Sequence, residues 1–131
     1  MATRIRQKAE KRTANKDNRP YAVAKDVRMS SSKVRIVLDN IRGKKVNEAV
    51  AILTYMPQKG AYESLKVLKS AIANAENNKG LSADNLIVAE CYTTPGPMMK
   101  RVNFRGRGRV DHIIKRSCHI TIILDEMKEA K

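Results

Sequence analysis

The apolar positions of this chain change their period twice. Tyr21, Val23, Val27 and Met29 alternate with Ala22, Ala24, Asp26 and Arg28, with Lys25 in register, which predicts a first β-strand. Ser30, Ser31 and Ser32 then offer hydroxyls for a helix N-cap. Val34, Val37, Leu38 and Ile41 follow at i, i+3, i+4 and i+7 as one apolar helix stripe. Lys33, Arg35 and Arg42 fall off that stripe, and Gly43 supplies a left-handed stop. A short helix is expected from an Asn47 N-cap, with Ala49, Val50 and Leu53 inward and Pro57 beyond its end. A longer one is expected from about Gln58 to Asn77 on the stripe Ala61, Leu65, Leu68, Ile72 and Ala75, with Gly80 past its C-terminus. A repeat this short, without flanking charge pairs, favours core packing over a coiled coil.

From Asn85 the texture returns to strand, first over Leu86 to Tyr92 and again over Ser117 to Leu124. The second run puts Cys118, Ile120, Ile122 and Leu124 on one face. Helices bunched between one early strand and two late ones predict an α+β domain, a small antiparallel three-stranded sheet packed by three helices. The stretch from Thr93 to Arg116 is too long for a structureless loop in a compact domain. A long projecting β-hairpin at about 93–116 is the better solution, reaching on the order of 20–30 Å. Such a ribbon is marginally stable alone and needs a partner to hold its shape. Pro95-Gly96-Pro97 predicts a bend or bulge on it, because proline lacks the ladder donor; an ordinary loop bend fits the same residues.

Charge changes this picture from a small domain to a binder of polyanions. The formal net charge of the 131 residues is +14. Residues 1–20 hold Arg4, Arg6, Lys8, Lys11, Arg12, Lys16 and Arg19 against Glu10 and Asp17. Residues 98–116 hold Lys100, Arg101, Arg105, Arg107, Arg109, Lys115 and Arg116 against Asp111. The organisation expected is therefore a basic N-terminal tail over 1–20, mobile until it meets a partner, and a single domain over 21–131. Guanidinium groups packed into a loop without internal partners call for phosphates at close spacing, which points to nucleic acid before membrane. No run of about 18 apolar residues exists to span a bilayer. The start of the chain lacks the apolar stretch of a secretory signal, and Glu10 and Asp17 argue against a mitochondrial presequence.

Gly106 and Gly108 alternate with Arg105, Arg107 and Arg109, so that backbone can approach a phosphate while the arginines reach RNA; a flexible loop with diffuse electrostatics is the plainer alternative. Met98, Met99 and Phe104 suit either base packing or a small cluster pinning the ribbon. Cys91 and Cys118 are expected as buried free thiols. His112, Cys118, His119 and Cys91 match no metal-ligand spacing, so no metal or cofactor is expected, and His119 is expected to be polar or RNA-facing. No nucleophile elbow, Walker loop or dinucleotide fingerprint is present, so an enzyme is not expected. A free-standing architectural factor that bends DNA with its ribbon is the competing binder. Such factors usually dimerise, and no second apolar face suited to that is visible.

Five blocks then carry a resemblance. They are Lys33-Val34-Arg35 with Ile41-Arg42-Gly43-Lys44, Ser70 to Asn77, Gly96-Pro97-Met98-Met99-Lys100-Arg101, Arg107 to Ile113, and Lys115 to Thr121. In this order and at these separations the chain closely resembles the bacterial large-subunit ribosomal protein twenty-two family over roughly residues 21–126. The resemblance implies an α+β domain at the outer surface of the large subunit, near the exit of the nascent-peptide tunnel. It implies a hairpin that threads between rRNA segments and forms part of the tunnel wall near the macrolide-binding region. Under it, Met98, Met99, Lys100 and Arg101 belong to a tunnel-facing tip. Arg105, Arg107, Arg109, Lys115 and Arg116 line the ribbon against rRNA, and Lys33, Arg35, Arg42, Lys44 and Asn74 add contacts from the domain. The implied partners are large-subunit rRNA, neighbouring ribosomal proteins and the passing nascent peptide, in the cytoplasm, with no membrane and no homo-oligomer. The implied role is assembly and tunnel architecture. Cys118 stands where the family leads one to expect threonine.

Overall fold

A computed structural model describes residues 2–15 and 17–127. Lys16, one of the tail's cations, and residues 128–131 of the expected domain lie outside them. Helix α1 (Ala2–Ala14) lies within the tail that was expected to be mobile until it meets a partner. Residues of high helix propensity (Ala, Arg, Lys, Gln, Glu) account for it locally. Its side chains from Thr3 onward are all exposed, so no core braces it. A lone helix of this length is marginal in water.

Strand β1 (Tyr21–Val27) leads into α2 (Ser31–Asp39), α3 (Val46–Tyr55) and α4 (Lys59–Lys79), and β2 (Leu86–Pro95) follows. Strands β3 (Met99–Phe104) and β4 (Val110–Lys115) form the ribbon, and β5 (Cys118–Glu126) returns to the domain. The sheet order is β1-β5-β2, antiparallel throughout, with β3-β4 as a separate antiparallel pair. The fold is the expected α+β arrangement, with α2, α3 and α4 packed on the sheet.

The core is where the stripes meet. Val34, Val37 and Leu38 from α2, with Ile41 in the turn after it, bury against Leu53 of α3, Leu68 of α4 and the β5 face of Cys118, Ile120, Ile122 and Leu124. Leu65 and Ile72 are only partly buried, while Ser64, Val67 and Ala71 are buried, so the inward face of α4 is broader than a single stripe. Gly60 is buried; a Cβ on it would lie 3.4 Å from both Met29 Sδ and Val37 Cγ2, so its bareness lets α4 close on α2. Gly80 ends α4 in the left-handed region at φ 66°.

Several local expectations shift. Ser30 occupies the α2 N-cap, but its hydroxyl makes no cap bond. The N-cap of α3 is Lys45, not Asn47, because Val46 belongs to the core and residues 43–45 run along β2. Gly43 N donates to Val88 O at 2.8 Å and Val88 N to Lys44 O at 3.0 Å, which covers the open β2 edge. Asn47 Nδ2 instead donates to Asp84 Oδ1 at 3.0 Å. In β1 the small residue Ala22 faces the core, while Tyr21 and Val23 face outward. In β2 a bulge between Val88 and Glu90 moves the buried set from Leu86 and Val88 to Cys91 and Thr93.

Candidate nucleic-acid interface

The ribbon is an extension of the β2–β5 pair across a joint. Pro95 pairs with Cys118 on the domain side and Met99 with Lys115 on the ribbon side. Gly96, Pro97 and Met98 therefore oppose only Arg116 and Ser117, a bulge where the prolines predicted a bend. Gly96 N donates to Ser117 O at 2.9 Å, and Ser117 Oγ donates to Pro97 O. A Cβ at Gly96 would lie 2.8 Å from Ser117 Oγ and 3.2 Å from His119 Cε1, so only glycine fits this crossing. Arg28 Nη1 approaches Met99 Sδ at 3.1 Å, tying the foot of the ribbon to the domain, and Arg116 Nη1 approaches Met98 Sδ at 3.9 Å within the joint.

The turn of the ribbon lies at Gly106–Gly108, with Arg107 at φ 59° and Gly108 at φ 73°. Gly108 thus serves the turn first. This corrects the expectation of a tip at Met98, Met99, Lys100 and Arg101. Met99 to Arg101 open β3, with Met98 at the joint, and all lie at the domain end of the ribbon. Every residue from Pro97 to Arg116 is exposed. Cross-strand register places Lys100, Val102 and Phe104 with Ile114, His112 and Val110 on one face. Met99, Arg101 and Asn103 share the other with Lys115, Ile113 and Asp111.

The expectation that no ribbon cation has an internal partner also needs correction, since Arg105 Nε pairs with Asp111 Oδ2 at 2.7 Å. Among the described residues, Lys100, Arg101, Arg107, Arg109, Lys115 and Arg116 pair with no carboxylate. On the domain, Lys33, Arg35 and Lys44 are exposed and likewise unpaired.

Three other candidates are engaged within the protein. Arg42 pairs with Asp39 at 2.8 Å and donates to Cys91 O at 3.0 Å. Asn74 Nδ2 donates to Tyr21 O at 3.0 Å, at the β1 edge of the sheet and away from the β2 edge that Arg42 and Lys44 border. His119 Nδ1 accepts from Asp26 N at 3.0 Å, where Asp26 sits at φ 57° in a β1 bulge. His119 thus locks β1 to the joint.

The tail enters through Arg19, whose guanidinium bonds Asp17 at 2.6 Å and Glu90 at 2.8 Å. The side-chain and backbone hydrogen bonds from Arg19 lower the Asp17 carboxyl to about 2. Cys91 and Cys118 are free and buried, as expected, and burial pushes both thiols up. Cys91 Sγ donates to Leu38 O at 3.4 Å.

The match to ribosomal protein families settles the kinship. The model of the Ribosomal protein L22p/L17e family matches residues 22–125. The chain belongs to that family. It is 56% identical over 108 residues to the large ribosomal subunit protein uL22 of Carboxydothermus hydrogenoformans, covering 82% of this chain and 96% of that one. To the Thermotoga sp. (strain RQ2) protein of the same name it is 55% identical over 109 residues, covering 82% and 69%. To that of Clostridium novyi it is 53% identical over 105 residues, covering 80% and 95%. The L22p/L17e family is one of ribosomal structural proteins, not of enzymes.

Sequence reasoning missed Arg28 and Lys59. No spacing rule joins the end of a strand to the start of a distant helix, and only the packing of α4 on α2 brings them beside Lys33, Lys115 and Arg116.

Proposed function

We propose that this protein is a structural rRNA-binding component of the large ribosomal subunit. Its domain sits at the subunit surface near the exit of the nascent-peptide tunnel, and its ribbon reaches inward to form part of the tunnel wall. The observation that carries this reading is the ribbon of a ribosomal-family domain, exposed over its whole length, with six cations that pair with no carboxylate among the described residues. Only a surface dense in phosphates neutralises such an array without leaving charges buried and unpaired. The ribbon's two faces differ, one carrying Val102, Phe104 and Val110 and the other Arg101 and Lys115, which suits a wedge with different neighbours on either side.

Lys33, Arg35, Lys44, Arg107, Arg109, Lys115 and Arg116 are the direct RNA contacts. Arg42, Asn74, His119 and Arg105 first hold the protein's own backbone or carboxylates and offer RNA only their remaining donors. Lys100 and Arg101, on the outgoing strand, stand beside the nascent peptide. Neighbouring ribosomal proteins complete the surroundings, and the role is subunit assembly. A DNA-bending dimer loses its ground with membership of a ribosomal family.

The test is ultraviolet crosslinking of the tagged chain in cells, followed by sequencing of the attached RNA. Crosslinks clustered on a few large-subunit rRNA segments, those from the ribbon beside the tunnel, are expected. Crosslinks scattered over many RNAs, or recovery of DNA, would sink the reading.

A further inference from the structure

A groove of about 780 Å³ opens where the ribbon leaves the domain. The end of β1, the helices α2 and α4, and the returning strand of the ribbon all contribute walls. Arg28, Lys33, Lys59, Lys115 and Arg116 line it, and among the described residues no acidic one does. None of the five forms an ion pair among the described residues. Between these cations lie apolar surfaces, chiefly Ile36 and Ile114. Ile36 lies off the buried stripe of α2 and is 63% exposed, so the fold makes no use of it.

That combination selects among occupants. An RNA duplex would meet the cations with its phosphates, but its bases are stacked away and would leave Ile36 and Ile114 wet. A protein segment would need several carboxylates to meet five cations at once. An unstacked nucleotide supplies both chemistries within one residue: a flat base for aliphatic and guanidinium surfaces, and phosphates on either side for the lysines. The groove falls within the range of about 300–1,000 Å³ that holds ligands of this size. It is also continuous with the unpaired cations of the ribbon, so an RNA strand following the ribbon reaches it without a break.

We propose that this groove holds an unpaired nucleotide of RNA, with its base against Ile36 and Ile114 and its flanking phosphates on Lys33, Lys59 and Arg116. The proposal rests on the rRNA-binding reading and adds which RNA element the protein recognises. Arg28, which lines the same groove, is the guanidinium left to stack on the base.

The test uses the full chain carrying photo-reactive p-benzoyl-phenylalanine at position 36 or, separately, at position 104 on the ribbon. Both positions are exposed, so the substitutions spare the core. After irradiation in cells, large subunits are isolated and the crosslinked nucleotide is mapped. From position 36 we expect one dominant crosslink, to a nucleotide that is unpaired in the rRNA. In a fragment carrying that nucleotide, an abasic replacement lowers affinity about tenfold, the scale of one stacked base. Ile36→Ala then lowers it little further, because both changes remove the same interaction. Crosslinks from position 36 to paired nucleotides or to a protein overturn the proposal. So does silence at position 36 when position 104 still crosslinks to rRNA, and that outcome leaves the ribosomal reading standing. Silence at both positions, in a chain that does not co-sediment with large subunits, overturns the ribosomal reading and this proposal with it.

Discussion

The domain and the ribbon of this protein are ordered by different forces. In the domain, twenty apolar residues are buried in one cluster, drawn from three helices, three strands and the turn at Ile41. In the ribbon, no residue from Pro97 to Arg116 is buried, and the strands are joined by backbone pairing and a few side-chain contacts. Hydrophobic burial therefore fixes the domain from within, whereas the ribbon owes its direction to the joint at Gly96 and its stiffness to what surrounds it. A chain built this way can reach deep into another molecule without stabilising the reaching part by itself.

The contrast breaks most visibly under core truncation. Leu68→Ala removes a fully buried side chain and should destabilise the domain by about 2–5 kcal/mol. Phe104→Ala, at an 81% exposed ribbon position, should change stability by no more than about 0.5 kcal/mol. Urea titrations of the two variants decide it. Equal losses would mean that the ribbon packs back on the domain.

The joint comes next. Gly96→Ala places a methyl against Ser117 Oγ and should cost about 1–3 kcal/mol through strain. Chemical-shift changes should concentrate at residues 93–98 and 115–119 and leave Leu38 and Leu68 unmoved. Adding Ser117→Ala, which removes the clashing oxygen, should recover most of the loss. No recovery would place the strain elsewhere, His119 being the next neighbour.

The same division explains what the sequence made legible. The α2 stripe and the β5 alternation are long and regular, and their residues are the ones buried, because periodicity is the imprint of burial. The inward face of β1 was less legible, since Ala22 faces the core where Tyr21 and Val23 are the larger apolar residues. The β2 bulge was hidden too, as one extra residue reverses a face without any compositional mark. In the ribbon, charge betrayed the function but not the geometry. The turn at Gly106–Gly108 and the Arg105–Asp111 pair depend on register, which exposed residues do not encode in their hydropathy. The groove cations Arg28 and Lys59 were invisible for the same reason, being assembled by tertiary packing alone.

Charge at the turn sharpens the comparison by touching binding without touching the fold. Arg107→Ala with Arg109→Ala should leave the urea midpoint unchanged. The log–log salt slope of rRNA binding should fall by about 2, one unit for each phosphate no longer neutralised. An unchanged slope would show that these arginines meet no phosphate. The thiols supply the matching control from inside the domain. Burial keeps Cys91 and Cys118 protonated at neutral pH, so alkylation of the native chain should be slow and should accelerate on unfolding in urea. Rapid alkylation of the native protein would contradict the closed core.

The smallest expected effect lies where tail meets domain. Arg19 holds Asp17 on one side and Glu90 of β2 on the other, so it is the clasp between the two regions. Its hydrogen bonds lower the Asp17 carboxyl from the ordinary 3.8 to about 2. A depressed folded value means the Asp17–Arg19 pair is fully favourable above the unfolded carboxyl's 3.8 and is lost as pH falls towards 2. Asp17 is open to solvent, so salt should screen the interaction and raise the titration midpoint. Carboxyl-carbon NMR of Asp17 reads that midpoint directly. Arg19→Lys should raise it towards 3.8, since a lysine ammonium cannot reproduce the forked contact. A wild-type midpoint already at 3.8 would mean that the Arg19–Asp17 half of the clasp is open in solution.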